Sequence, residues 1–291
     1  MSRWRKIAGL GLAVVTIVTV TVIEARYYRH GLSLVHPARK PVTDAEHART
    51  HTFAEAVSFE TSDGVKLRGD YVPSKNGIVV VMCHGLFENR MHFLFEAEML
   101  TRHGYGALFF DWRAHGDSDG ALSTWGYLEQ LDLESAITFA VSREDAKIVT
   151  LGFSIGATAV YLEATHDPRV RAIIIEAIWP TIEEEMRDKM STLGFVSYEP
   201  TVMAMQRAGL DFSKVRPIDH AAQLGARPKL FVTGSADTDT SVAIMQRVVD
   251  ATPEPKQLWV VPGARHGTYT VTAPVEYERV VIDFLEHAFA R

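Results

Sequence analysis

The chain has 291 residues, of which 47% are hydrophobic and 23% charged, a composition typical of a globular protein and not of a disordered one. The formal net charge is −6, yet residues 1–40 carry seven basic side chains and one acidic one. The remainder therefore has 23 basic and 35 acidic side chains. Such an acidic body lacks the basic face that phosphates require, and we expect no nucleic-acid partner. The single cysteine, Cys83, excludes an internal disulfide and a cysteine-built metal site.

The N-terminus has the pattern of a membrane anchor. A basic segment, residues 1–6, precedes an uncharged apolar run over residues 7–23, long enough for about 25 Å of helix. A cleaved signal peptide begins in the same way, but no good small-x-small cleavage site follows Ile23. A helix buried in a protein core is disfavoured because the run has no polar face. We therefore predict an uncleaved single-pass anchor. The side of the membrane stays open, since basic residues flank both ends.

Residues 24–54 are predicted to form a polar, basic stem, and the body of the protein begins at residue 55. Two apolar segments there flank the turn sequence Ser-Asp-Gly at 62–64, which predicts an antiparallel hairpin. Short apolar runs then alternate with helical patterns, which predicts a mainly parallel sheet with helices on both faces, an α/β fold. The predicted strands are Ala56–Phe59, Val65–Val72, Ile78–Cys83, Ala107–Phe110, Lys147–Phe153, Val170–Ala177, Lys229–Thr233 and Gln257–Val261. The predicted helices are 90–103, 124–142, 155–166, 240–251 and 274–290.

Residues 178–227 are too long for a simple crossover between two strands. This interval contains four of the nine methionines together with several aromatic residues. We predict a helical insertion that caps the carboxyl edge of the sheet, where open α/β sheets bind ligands. Flexible thioethers suit an adaptable apolar pocket, but the same residues could simply cover the core.

The sequence Gly152-Phe153-Ser154-Ile155-Gly156 follows a predicted strand and opens a predicted helix. A tight strand-to-helix turn of this kind lifts a serine hydroxyl above the sheet. A serine becomes a strong nucleophile only when a neighbouring base, oriented by a third group, takes its proton. We therefore expect Ser154 to be a catalytic nucleophile.

Two later strand ends supply the partners in the order that this arrangement requires, an acid and then a histidine. Asp237 follows the strand Lys229–Thr233, and His266 follows the strand Gln257–Val261. The carboxyl ends of parallel strands share one rim of the sheet, so both side chains are expected near Ser154. Glu176 and Asp239 are alternative positions for the acid.

The sequence Cys83-His84-Gly85-Leu86 ends the third predicted strand. The backbone N–H of Leu86 is expected to form an oxyanion hole together with that of Ile155. His84 is expected to make a structural hydrogen bond.

The segments HGLFENR, FFDWRAHGDSDG, GFSIGA, VTGSADT and PGARHG together resemble the α/β-hydrolase superfamily over residues 55–290. The resemblance implies an eight-stranded sheet, a variable cap and a Ser-His-Asp triad. It implies that Ser154 is the nucleophile, Asp237 the acid and His266 the base, with Leu86 and Ile155 as oxyanion donors. It also implies that Asp111 and His115 are structural. The lipase-type HGGG motif is absent.

These observations predict a serine esterase or thioesterase that acts through an acyl-enzyme and needs neither a metal nor an organic cofactor. The expected partners are a small acyl ester or thioester, with an apolar acyl group, and the membrane through residues 7–23. A peptidase, a lactonase or an acyltransferase would use the same three side chains. A hydrolase fold that only binds a ligand, and a body that serves as a membrane-bound scaffold, are the non-enzymatic alternatives.

Overall fold

The computed structural model describes the backbone of residues 3–290 and the side chains of Ile7 and of residues 9–290. The predicted basic segment, residues 1–6, lies outside these described side chains. The body contains the predicted eight-stranded sheet. Its strands are β1 (Glu55–Glu60), β2 (Lys66–Val72), β3 (Ile78–Cys83), β4 (Gly106–Asp111), β5 (Lys147–Phe153), β6 (Val170–Glu176), β7 (Lys229–Gly234) and β8 (Lys256–Val261).

The strand order is β1-β2-β4-β3-β5-β6-β7-β8. The pairs β1–β2 and β2–β4 are antiparallel, and the other five are parallel. The predicted hairpin and the mainly parallel sheet are therefore confirmed. All six residues of β3, IVVVMC, are buried, because helices cover both faces of the sheet.

Helices α1 (Arg3–Val35) and α2 (Asp44–Thr50) precede the sheet. Within the body lie α3 (Leu94–Arg102), α4 (Glu129–Arg143), α5 (Ile155–Glu163), α6 (Ile182–Lys189), α7 (Phe195–Arg207), α8 (Val242–Ala251), α9 (Tyr269–Thr272) and α10 (Pro274–Phe289). Two apolar clusters form the core. One lies between the sheet and α4, α5 and α8, and the other lies between the sheet and α3 and α10.

The helix predicted from residue 124 begins at Glu129 instead. The carboxylate of Glu129 accepts hydrogen bonds from the backbone N–H groups of Thr124 (2.8 Å) and Gly126 (2.9 Å) and from the hydroxyl of Ser123 (3.0 Å). Trp125 and Gly126 have φ of 56° and 102°, which no right-handed helix allows. The helix was predicted to start too early because Trp125 is buried like a helical core residue, although it belongs to a loop.

The interval 178–227 is helical, as predicted. It contains α6, α7 and short 3₁₀ turns over Ser191–Leu193, Phe212–Lys214 and Pro217–Leu224. These elements form the cap, which follows the carboxyl end of β6.

The segment 24–54, predicted as a polar stem, packs on the body. Helix α1 continues without a break to Val35, which is completely buried. At Gly31 the backbone of α1 approaches α7 so closely that a Cβ would lie 2.3 Å from the carbonyl oxygen of Thr201. The indole N–H of Trp125 donates to the carbonyl oxygen of Leu34 at 2.9 Å. The composition of this segment predicted a polar stem because only a few of its residues are buried.

One stretch of α1 has the length and composition to cross a membrane, Gly9–Val35, with a mean hydropathy of 1.7 over its most apolar window. The side chains of residues 9–22 are exposed, and contact with the body begins at Ile23. The end of the exposed stretch coincides with the end of the predicted apolar run at residue 23.

Candidate active site

Ser154 occupies a strained turn between β5 and α5, with φ of 55° and ψ of −117°. The flanking glycines make the turn possible. A Cβ at Gly152 would lie 2.3 Å from the carbonyl oxygen of Gly156, and a Cβ at Gly156 would lie 1.9 Å from the carbonyl oxygen of Cys83. Only glycine fits at both positions. The backbone therefore places the Ser154 side chain at the N-terminus of α5, above the carboxyl edge of the sheet.

His266 and Asp237 are joined by a hydrogen bond. The carboxylate Oδ2 of Asp237 accepts from Nδ1 of His266 at 3.0 Å. The proton on Nδ1 leaves the lone pair of Nε2 free to act as a base. His266 is partly exposed, and it lines the same cavity as Ser154. The structure thus joins His266 to Asp237 and places His266 on the same cavity as Ser154; these are the three residues that the sequence analysis expects to form a triad.

The Asp237 carboxylate is held in place on its other side by the backbone. Its Oδ1 accepts hydrogen bonds from the N–H groups of Asp239 (2.8 Å) and Thr240 (2.7 Å). Burial by itself would raise the pKa of Asp237, but the hydrogen bonds from His266 and from these two N–H groups outweigh it and lower the pKa below its usual value. Asp237 is therefore an anion at neutral pH, and it can stabilise a positive charge on the His266 ring.

Neither alternative acid bonds to His266. Glu176 is completely enclosed, and its Oε1 accepts a hydrogen bond from the hydroxyl of Tyr277 at 2.7 Å. Asp239 contributes only its backbone to this group, through its N–H to Asp237 and its carbonyl oxygen to the indole of Trp179 at 3.1 Å. The geometry therefore favours Asp237 over both.

The enclosed Glu176 gives a prediction about pH and stability. Burial raises the pKa of Glu176 to about 7, from a usual value of 4.5. The folded state prefers the protonated form of Glu176. The contribution of Glu176 to the free energy of unfolding is therefore fully present below pH 4.5 and is lost as the pH rises through about 7. Glu176→Gln cannot ionise, and its amide oxygen can still accept from Tyr277. Between these pH values we expect the wild type to lose about 3 kcal/mol of unfolding free energy and the variant not to lose it.

The measurement is urea unfolding of both proteins at pH about 5 and about 8. A difference between variant and wild type that does not change with pH would contradict the expectation. Glu176 does not contact His266, so we expect the substitution to leave the Asp237–His266 pair unchanged.

The loop that follows β3 lies directly against the strained turn at Ser154. A Cβ at Gly85 would lie 2.8 Å from the ring of Phe153 and 3.4 Å from the Cβ of Ser154. The next residue, Leu86, lines the cavity together with Ile155. The N–H of Ile155 belongs to the first residue of α5, where no partner exists within the helix. Leu86 and Ile155, the two residues expected to supply the oxyanion hole, thus line the same cavity as Ser154.

His84 supports this loop from below. Its Nε2 accepts from the backbone N–H of Trp112 at 3.2 Å, so its Nδ1 carries the proton and donates to the carbonyl oxygen of Gly85 at 2.8 Å. Burial, with a smaller effect of His115, lowers the pKa of His84 well below its usual value. His84 is thus a neutral structural residue, as predicted.

Asp111 is also structural. Its Oδ1 accepts from the backbone N–H of Arg90 at 2.7 Å, its Oδ2 accepts from the N–H of Asp117 at 2.9 Å, and the guanidinium of Arg90 bridges it to Asp70. His115 is buried behind the site, with its ring 5.2 Å from that of His84.

The cavity above Ser154 has a volume of about 510 Å³, within the range of sites for small organic ligands. Part of its wall is apolar and comprises Leu34, Leu86, Phe87, Trp125, Phe153, Ile155, Met186 and Met190. Another part is charged, because Lys189 forms an ion pair with Glu185 at 3.1 Å, and both line the cavity. The methionine-rich cap contributes Met186 and Met190 to the pocket, whereas Met205 is buried in the core and Met203 is exposed outside.

Sequence reasoning missed several of these wall residues. His30 and Leu34 come from α1, far from any strand end, and no local pattern links them to Ser154. His92 stacks on Phe153 with ring centroids 4.7 Å apart, and burial lowers the pKa of His92 to about 4. His92 lay inside a predicted helix, two residues after the segment HGLFENR, and no spacing rule linked it to Ser154. Among the described residues, no group of three or more His, Cys, Asp or Glu side chains is arranged to hold a metal ion.

Comparison with known proteins agrees with this architecture. A family model described as serine aminopeptidase, S33, matches residues 74–194. The protein Rv2307c of Mycobacterium tuberculosis is 28% identical over 264 residues, covering 88% of this chain and 86% of the relative. Thiohydrolase aneE of Aspergillus aculeatus is 34% identical over 147 residues, covering 48% of this chain and 45% of that protein.

Among solved structures, the Pyrococcus furiosus esterase Pf2001 superposes with a TM-score of 0.73 at 23% identity. The alignment covers 87% of this chain and 98% of the esterase. A structural similarity at this level of sequence identity shows a shared fold. The shared fold extends over nearly the whole of the esterase structure. The strand order and these structural matches show that the chain has the α/β-hydrolase fold.

Proposed function

We propose that the protein is a serine hydrolase that cleaves carboxylic esters or thioesters through an acyl-enzyme. The observation that carries the proposal is the Asp237–His266 hydrogen bond beside the strained Ser154, with both His266 and Ser154 lining one cavity. Two similar proteins, the esterase Pf2001 and thiohydrolase aneE, are named for hydrolysis of this class of bond, which supports the proposal.

In the proposed reaction, Nε2 of His266 takes the proton of the Ser154 hydroxyl as its oxygen attacks the acyl carbonyl carbon. The negative charge that develops on the carbonyl oxygen is stabilised by the N–H groups of Leu86 and Ile155. Asp237 stabilises the imidazolium, which then gives its proton to the departing alcohol or thiol. Water, activated by the same imidazole, hydrolyses the acyl-enzyme and restores Ser154. All these steps use side chains and backbone groups of this chain alone.

The apolar run of α1 supports the proposal that the enzyme is a single-pass membrane protein. Residues 9–22 expose apolar side chains along the whole helix surface, an arrangement that is stable in lipid and costly in water. Removal of α1 would expose the surface of α7 against which Gly31 packs, and it would leave the indole N–H of Trp125 without its acceptor on Leu34. This packing of the C-terminal part of α1 on the body supports an uncleaved anchor over a signal peptide that is removed.

The competing activity is that of a peptidase, which the description of the family model names. We would assay the full chain in detergent with p-nitrophenyl butyrate, with a butyryl thioester and with alanine p-nitroanilide. We expect kcat/KM for the ester and the thioester to exceed that for the anilide by about 100-fold or more. Faster cleavage of the anilide would make the protein a peptidase, and no turnover by folded protein would favour a ligand-binding role.

A further inference from the structure

Helix α1 contributes both to the apolar N-terminal run and to the wall of the cavity. Helix α1 is exposed up to residue 22, and the same helix then supplies His30 and Leu34 to the wall of the cavity that contains Ser154. Seven residues of helix separate Ile23 from His30, which is about 10 Å along the axis. A headgroup layer is only several ångströms thick, so the upper wall of the cavity lies close to the membrane surface when residues 7–22 are in the bilayer.

The cap presents apolar side chains beside the exposed part of α1. Phe195 and Met203, eight residues apart on one face of α7, are 73% and 42% exposed, and they share a groove with Thr21, Ala25 and Tyr28 of α1. Leu193, just before α7, is 46% exposed. This patch, Leu193, Phe195 and Met203, is called the cap patch below. It is continuous with the apolar surface of α1.

Charged residues accompany the patch at the depth where headgroups would lie. Arg29, Glu24 and Glu199 line the same groove, and Arg26 lies on the same turn of α1. Basic side chains at the end of an apolar helix pair favourably with anionic headgroups, and an aromatic ring such as Tyr28 is typical of this layer. A surface with apolar tips and a charged rim at one level fits a bilayer better than it fits water.

We propose that the cap patch inserts into the interfacial layer of the bilayer that α1 enters, and that the ester substrate is a membrane-resident amphiphile that reaches Ser154 from that leaflet. The substrate part of this proposal rests on the proposed function. The insertion of the cap patch does not, because it concerns only where the exposed side chains lie.

The insertion can be measured without any activity. Cys83 is completely buried, so a cysteine introduced at Phe195 or Met203 can be labelled selectively with an environment-sensitive fluorophore. Val141→Cys is the matched control, since Val141 is 41% exposed and lies at the C-terminal end of α4, toward the opposite edge of the sheet. The full chain would be reconstituted in vesicles of phosphatidylcholine with a minority of phosphatidylglycerol.

We expect emission from positions 195 and 203 to shift to the blue and to be quenched by brominated lipid, and emission from position 141 to show neither change. Equal emission from all three positions would overturn the proposal. A blue shift that brominated lipid does not quench, and that grows with the ratio of protein to lipid, would also overturn it, because a second copy of the chain would then cover the patch.

The route of the substrate is tested with the double variant Phe195→Asp/Met203→Asp. We expect hydrolysis of a long-chain ester embedded in the vesicles to fall by about tenfold, because two charges oppose insertion, while kcat and KM for water-soluble p-nitrophenyl acetate stay unchanged. Val141→Asp should affect neither substrate. Equal activity of the double variant and the wild type on the embedded ester would overturn the route. If the wild type hydrolyses no ester at all, the proposed function fails while the fluorescence result still decides the insertion.

Discussion

Replacing Ser154 by alanine is expected to reduce the kcat for ester hydrolysis by about 10⁶-fold, the size of effect seen when a nucleophile that works as a unit with its base is removed. Without the hydroxyl no acyl-enzyme forms, and His266 has no proton to accept. The alanine side chain fits the site, since it only removes the oxygen. The residual rate would come from binding and from the N–H groups of Leu86 and Ile155.

The measurement is steady-state hydrolysis of p-nitrophenyl butyrate together with labelling by a fluorophosphonate probe, which reacts with an activated serine. Ser142→Ala, an exposed serine on α4, is the matched control and should retain full activity and labelling. Labelling of the Ser154→Ala protein at the level of the wild type would show that another residue is the nucleophile, and it would remove Ser154 from the mechanism.

Asp237→Asn is expected to lower kcat by about 10⁴-fold with little change in the fold. Two backbone N–H groups point at Oδ1, so the amide oxygen will take that side and the amide NH₂ will face His266. Nδ1 of His266 must then accept a hydrogen bond, which places the ring proton on Nε2. That tautomer has no lone pair directed at Ser154.

The comparison with the other carboxylates makes this prediction specific. Asp239→Asn and Glu176→Gln should each keep kcat within about threefold of the wild type, because neither side chain bonds to His266. The assay is the kcat of the three variants, measured over a range of pH. A large loss in Glu176→Gln, with Asp237→Asn active, would mean that the acid comes from the end of β6.

The candidate site could be predicted from the sequence because each of its three side chains follows the carboxyl end of a parallel strand. Apolar runs such as IVVVMC indicate strands covered on both faces, and the ends of parallel strands meet at one rim. Ser154 and Asp237 follow the buried strands β5 and β7, and His266 follows the edge strand β8, so all three are expected at one rim. The choice between Asp237 and Glu176 did not follow, because both residues stand at a strand end on the same rim.

The beginning of α4 and the packing of residues 24–54 could not be predicted from the sequence in the same way. Trp125 belongs to an apolar pattern, but its burial comes from the hydrogen bond of its indole to Leu34, a residue 91 positions earlier in the chain. Similarly, Arg39 was read as one charge of a stem, whereas its guanidinium donates to the carbonyl oxygen of His115 at 3.3 Å. Contacts between residues so far apart leave no periodic signal in either segment.

Local chemistry accounts for the strands, the serine turn and the order of the three reactive side chains, because turn glycines and buried apolar runs act on their immediate neighbours. The folded chain adds the walls of the cavity. His30 and Leu34 reach it from α1, and Lys189 and Glu185 from α6, only because helices that are remote in sequence pack over the same edge of the sheet. The pocket is therefore apolar on one side and charged on another, a property that depends on long-range packing and not on any single segment.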